Sequence, residues 1–300
     1  MNTRSGFWQR LSRMRLATAG LIVFALILGG SLLADIFAPA PPDEIDLDGA
    51  LSRPSLRHPF GTDPFGRDVL SRVLHGARIS LGVGFLARTI SLILGVFLGA
   101  IAGYFGGRID SILMRLADIT FAYPTLLLLI AIIAVVSPGM VSLFVTLGVV
   151  GWASVARLVR AQVLSVKERE YVQAARASGA SHWAILSRHI VPQCFAPVLV
   201  VYTLGLGMTI MAEASLSFLG LGVQPPAPSW GGMVSSGIAF MRTAPWLTFF
   251  PGLFITLTVC SLNLIGDGIR DALNPRLAPA FSRLVTASDG RCRDAAEGGR

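Results

Sequence analysis

The chain has 300 residues, 53% of them hydrophobic and only 14% charged, with a mean hydropathy of +0.66 and a formal net charge of +8. That much apolar surface cannot be hidden in one soluble domain of this size, which excludes an ordinary soluble enzyme and points to an integral membrane protein. Its basic residues are scattered between apolar stretches, so the positive charge reads as a topology signal and nucleic-acid binding is a poor explanation for it.

A helix needs about 20 apolar residues to cross a bilayer. Six stretches qualify: Leu16 to Phe37, Ile79 to Tyr104, Ile119 to Val136, Met140 to Leu158, Pro197 to Leu221 and Trp246 to Ile265. The expected fold is an all-α polytopic membrane protein. It has a short N-terminal segment (1–15), a membrane domain (16–280) and a mobile tail (281–300). The first stretch is long, lacks a small-residue cleavage site and runs into Pro-rich sequence, so it reads as a retained anchor. Between the first two spans, Val69, Leu70, Val73 and Leu74 form one apolar face of a helix expected at the outer surface. The second span carries Gly95, Gly99 and Gly103 at four-residue spacing, a stripe that lets another helix approach closely. Ser137-Pro138-Gly139 separates the third and fourth spans as a tight turn.

Ser165 to Pro192 is the long polar interruption, SVKEREYVQAARASGASHWAILSRHIVP. It reads as two short helices meeting at Gly179, with Ser181 capping the second and Pro192 setting where that helix gives way. The small pair Ala174-Ala175 leaves a low-relief patch on the first helix. In the fifth span Thr209, Glu213 and Ser217 fall four residues apart on one face. An acid there should face protein or water, as a bridge to another helix or as part of a path for solute. Trp230 and Trp246 suit the membrane interface.

Basic residues cluster on alternate sides of the spans. With the N-terminus inside, the cytoplasmic pieces hold Arg4, Arg10, Arg13 and Arg15, then Arg108 and Arg115, then Arg157 through Arg188, then Arg270 onward. The opposite loop, Ala38 to Arg78, offsets its arginines with six acids. Both termini and Ser165 to Pro192 are therefore expected in the cytoplasm. The three cysteines, Cys194, Cys260 and Cys292, argue against a disulfide framework, and His58, His75, His182 and His189 show no metal-binding spacing.

Three stretches carry a resemblance to a known family. Gln173-Ala174-Ala175, Gly179 and Val191-Pro192 resemble the EAA loop of membrane subunits of bacterial ATP-binding-cassette importers: Glu-Ala-Ala, three residues, Gly, nine residues, Ile, one residue, Leu-Pro. The spacing is kept, while Gln173, His189 and Val191 replace Glu, Ile and Leu. The stretches Gly61-Thr62-Asp63, Gly66 to Arg72 and Gly76-Ala77-Arg78, and Glu213 to Gly222 followed by Pro225, Pro226, Pro228 and Trp230-Gly231, are similar to permeases of the dipeptide, oligopeptide and nickel branch. The resemblance implies a permease subunit of the bacterial inner membrane that forms the path for peptides or a related small solute. It also implies a second similar permease subunit, two ATPase subunits docked on the loop, and an extracytoplasmic solute-binding protein. On this reading Glu170, Gln173, Ala174, Ala175, Gly179 and Pro192 belong to the ATPase-coupling site.

The chain itself has no Gly-x-x-x-x-Gly-Lys-Ser/Thr loop, and its single lysine, Lys167, lies in no glycine-rich setting. ATP hydrolysis is thus expected in separate subunits, with no cofactor bound here. The rival class is a secondary transporter or channel that needs no ATPase. Such proteins often show internal repeats or several intramembrane charges, and the spans show no convincing repeat.

Overall fold

The computed structural model describes residues 14–273, which are almost entirely helical. Arg4, Arg10, Arg13, the tail 281–300 and Cys292 lie outside the described residues. The helices are α1 (Arg15–Leu32), the four-residue α2 (Ala34–Phe37), α3 (Val69–Phe105), α4 (Gly107–Ala122), α5 (Thr125–Val136), α6 (Met140–Val166), α7 (Glu170–Ala177), α8 (Phe195–Phe218), α9 (Trp230–Gly237) and α10 (Trp246–Leu273). Five helical runs are long and apolar enough to span a membrane, and α4 with α5 makes a sixth if the bent pair counts as one.

That pair corrects the third expected span. Residues 119–122 close α4, and α5 then leaves at 95°. The cause is Pro124: the residue before a proline is pushed out of helical conformation, and Tyr123 sits extended at φ −106°, ψ 143°. With 12 residues, α5 is only about 18 Å long, too short to cross the hydrocarbon core alone. Ser137-Pro138-Gly139 then turns the chain into α6, as the sequence suggests.

The other end of α3 is also corrected. Val69 to Leu74 do not form a separate surface helix; they are the first turns of the unbroken 37-residue α3. Asp68 caps it, accepting from the Ser71 amide at 2.7 Å and from its hydroxyl at 2.9 Å. The preceding loop is tied by Asp63, which accepts from the amides of Phe65 and Arg67 at 2.8 and 3.0 Å and from Arg67 Nε at 2.6 Å. Against this knot pack Trp230, fully buried with its Nε1 donating to the Val73 carbonyl at 3.0 Å, and Trp246, which donates to the Thr62 carbonyl at 3.2 Å. These tryptophans are core residues and not lipid-interface anchors, because buried carbonyls satisfy their N–H groups.

The central pair of the bundle is α3 with α6. A Cβ on Gly95, Gly99 or Gly103 would run into Val155, the Ala156 backbone or Val163 of α6. In return α6 presents Gly148 and Gly151 to α3, and Ser91 donates to the Gly148 carbonyl at 2.9 Å. Small residues on both surfaces let the backbones meet, which matters in lipid because close packing replaces water-driven burial as the source of association.

The remaining helices sort the bundle into two ends. Around Asp63 gather the start of α3, the end of α8, α9 and the start of α10, with a core including Val73, Ile210, Ala214 and Trp230. At the other end a second core joins Tyr104, Val159, Val163, Val172, Ile185 and Ile190, beneath the polar loop. The first residues of α1 lie at that same end, since a Cβ on Gly20 would meet Leu264 and Ser261 near the end of α10.

Candidate functional site

The polar loop is built on α7. Its only buried residue is Val172, which enters the core below with Val163, Val166, Ile185 and Leu186. Glu170 stands in the first turn and Arg176 in the last, each matched to the partial charge of its helix end. Gly179 terminates the helix at φ +80°. Its amide bonds the Arg176 carbonyl at 3.0 Å, and the Ala180 amide reaches back to the Ala175 carbonyl at 3.1 Å. This is a Schellman ending, in which the left-handed residue is ordinarily glycine. A Cβ at Gly179 would meet nothing within 4 Å, so the demand for glycine is conformational.

The Ala174-Ala175 pair divides. Ala174 is exposed, whereas Ala175 is half-buried against the core below. Tyr171, three residues before Ala174 on the same face of α7, is 40% exposed, so the free surface of this helix is a shallow floor at Ala174 with an aromatic edge. Gln173, where the resembling loops carry Glu, uses the donors of its amide: Nε2 bonds the Lys167 carbonyl at 3.2 Å and Glu168 Oε2 at 3.4 Å. A carboxylate could not donate to either.

Several clamps fix the loop to the bundle. Lys167 Nζ donates to the Gly103 carbonyl at 3.1 Å in the last turn of α3, where a cation complements the helix dipole. The Tyr104 hydroxyl lies 2.9 Å from His182 Nδ1. On α6, Arg160 holds Asp110 through a two-pronged contact whose Nη2 to Oδ2 arm is 2.6 Å, and Arg157 pairs with Asp118, binding α4 to the same unit. Pro192 sits apart from α7. The second loop helix does not stop there: His182–Ala184, a wide π-turn Ile185–Ile190 and a tight 3-10 stretch Val191–Cys194 continue straight into α8. A proline has no N–H to give the helical ladder, and the change of winding around Pro192 absorbs that missing bond. Ser181 does cap the start, its hydroxyl accepting from the Ala184 amide.

In α8 the expected stripe also divides. Glu213 is fully buried and accepts from Ser217 Oγ at 2.8 Å. Ser80 of α3 lies beside the carboxyl group and accepts from the Trp230 amide at 3.3 Å. Glu213 and Ser217 are therefore held among α3, α8 and α9. Thr209 is not with them: it donates to the Gly205 carbonyl of its own helix at 2.8 Å and lines a separate cavity.

That cavity, about 630 Å³, opens between α3, α4, α5, α6 and α8. On its wall stands Arg88, a cation near the middle of α3 that the sequence reading passed over. The signal was present, since Arg88 is the only charged residue between Arg78 and Arg108.

Comparison with known proteins decides the family. Residues 95–279 match the family described as binding-protein-dependent transport system inner membrane component, and residues 4–55 match the N-terminal membrane domain of oligopeptide transport permease C. The chain belongs to this binding-protein-dependent permease family. Among its relatives are the dipeptide transport system permease protein DppC of Alkalihalophilus pseudofirmus, 42% identical over 90% of this chain and 89% of that one. The glutathione transport system permease protein GsiD of Pectobacterium atrosepticum is 41% identical, over 90% of each chain. The oligopeptide transport system permease protein OppC of Bacillus subtilis is 42% identical, over 89% of this chain and 88% of its own. The fold is also similar to a chain of the inward-facing MetNI methionine ABC transporter, with a TM-score of 0.54 at 18% identity over 68% of this chain and 97% of that one. A second structure, an amino acid ABC transporter, gives 0.53 at 16% identity over 67% and 94%. The protein is thus a multi-pass inner-membrane permease subunit of an ATP-binding-cassette importer, a family whose ATPases are separate subunits.

Proposed function

We propose that this permease carries peptides, or a related small solute with peptide-like bonds, and that ATPase subunits drive it by pressing on α7. The observation that carries the coupling is the build of the loop: a short helix with an exposed Ala174 floor, pinned from below by Val172 and joined by short turns, 167–169 and 178–181, to the two runs that frame it, α6 and His182–Phe218. A push on such a helix moves α6 and α8 together as a packed unit, switching between discrete arrangements. Relatives named for dipeptide, oligopeptide and glutathione transport support the solute class. The working assembly is two similar permeases, two ATPases and an extracytoplasmic solute-binding protein. It is tested by reconstituting those subunits in liposomes: uptake should require ATP and the binding protein, and uptake by this chain alone would favour a secondary carrier.

The arginine-rich polar-loop end is the cytoplasmic one on this reading, and the Asp63 end faces outward. In intact cells an impermeant thiol reagent should label Ser55→Cys and spare Ser178→Cys. The reverse pattern would invert the topology.

Glu213, Ser217 and Ser80 hold α3, α8 and α9 together as a buried polar bridge. Glu213 lies roughly 24 Å along the rod from Pro197, within the outer half of the bilayer on the proposed topology. Glu213→Gln keeps the acceptor for Ser217 and should leave assembly nearly intact. Glu213→Ala strands that hydroxyl and opens space, costing about 1–3 kcal/mol for the orphaned group, and should lower the yield of assembled complex. Loss of uptake in a fully assembled Gln variant would instead give the carboxylate a part in the solute path.

A further inference from the structure

Arg88 is 5% exposed, yet its guanidinium has a single described hydrogen bond, from Nη2 to the Val201 carbonyl at 2.5 Å, and its Nε is buried without a partner among the described residues. The group stands about 26 Å from Phe105 along α3, far from either end of a helix that crosses the membrane. An arginine at that depth is costly, and it persists where it pairs with something or faces a water-filled path. Among the described residues nothing acidic lines the cavity beside it; the polar groups there are the hydroxyls of Thr120, Thr125, Ser154, Thr209 and Ser215. The fold also makes room for it: Gly205 of α8 lies directly against the guanidinium, where a Cβ would overlap it.

We propose that Arg88 is a carboxylate-binding subsite of the translocation cavity, reading the free C-terminal carboxylate of a passing peptide. This rests on the peptide reading above. The chemistry follows from the fork of Nη1 and Nη2, whose N–H groups match the two oxygens of a carboxylate, Nε being turned inward against α8. The Val201 carbonyl is a neutral acceptor for one arm only. A carboxylate entering the cavity offers a charged acceptor to both arms in surroundings that screen the attraction poorly. The volume, about 630 Å³, lies within the range of sites for small ligands. The rest of the wall is largely apolar, which leaves passage of varied side chains unhindered while the common terminal group is held.

The test uses the assembled complex of permeases and ATPases without nucleotide, with radiolabelled trialanine as the probe. Bound label should be displaced at least ten-fold more readily by trialanine than by trialanine amide. Arg88→Gln should erase that preference in a complex that still assembles, and Arg88→Lys should keep part of it. Equal competition by acid and amide, no saturable binding to the native complex, or a preference that survives in Arg88→Gln would overturn the proposal. An Arg88→Gln chain that no longer assembles would also overturn it, assigning the guanidinium to an acid of the second permease. Uptake of trialanine into liposomes by the same complex, supplied with the solute-binding protein, separates the two readings. ATP-driven uptake without a carboxylate preference removes this inference alone, whereas no ATP-driven uptake removes the transport function beneath it.

Discussion

Replacing Ala175 by aspartate, or Gly179 by valine, is expected to reduce ATP-driven uptake at least a hundred-fold while the protein still inserts and assembles. The two variants act by different physics. Ala175 is half-buried over the core formed by Val163, Val172 and Ile185, so aspartate puts a charge where little water remains. Gly179 has open space around its missing side chain, so valine costs no clash. It costs the backbone conformation: φ +80° is unfavourable by roughly 1–2 kcal/mol for an ordinary residue and more for a β-branched one. The Schellman ending then fails, and α7 loses its angle to the helical run that starts at His182. Uptake in reconstituted liposomes, with assembly followed by gel filtration, reads both. Normal uptake by both variants would detach this loop from energy coupling.

Gly99→Leu should have a comparably large effect at the level of folding. A Cβ there already meets the Ala156 Cα at 2.8 Å, and that neighbour is backbone, which cannot rotate away. Forcing one extra methylene into a close-packed interior costs typically 1–3 kcal/mol, and leucine adds a whole branched side chain at the closest approach of α3 and α6. The expected result is chain that is made but degraded, or recovered only as aggregate. Gly82→Leu is the control, because nothing lies within 4 Å of its Cβ position. A stable, correctly assembled Gly99→Leu protein would mean that the two helices are not packed through this stripe.

Most of the helical plan was legible because lipid imposes a simple rule: long apolar runs become spanning helices. The Gly95, Gly99 and Gly103 stripe could be read as a contact surface, although only the fold shows that α6 receives it. Local chemistry was legible where one residue dictates conformation, as at Gly179 and Ser181. Reading failed where tertiary contacts override a local pattern. Val69 to Leu74 looked like a surface helix because their apolar face has no visible partner until α9 and α10 fold over it. Trp230 looked interfacial because only the fold provides the Val73 carbonyl for its N–H. The bend at Tyr123-Pro124 was masked by the uniform hydrophobicity on both sides, although the proline was there to be read. The stripe of Thr209, Glu213 and Ser217 satisfies helical spacing, yet α3 covers Glu213 and leaves Thr209 facing the cavity. Arg88 was missed because hydropathy averages over a window and one cation barely lowers it.

On the proposed function, α7 is the surface on which an ATPase subunit seats. The most direct measurement places a photoreactive residue at Ala174, the exposed floor of that surface, in the full complex reconstituted in liposomes. The expected result is a covalent adduct with the ATPase subunit whose yield changes when nucleotide is added, and no such adduct from the same probe at Ser55. An Ala174 probe that captures only lipid or the second permease, in a complex that still imports solute with ATP, would contradict it.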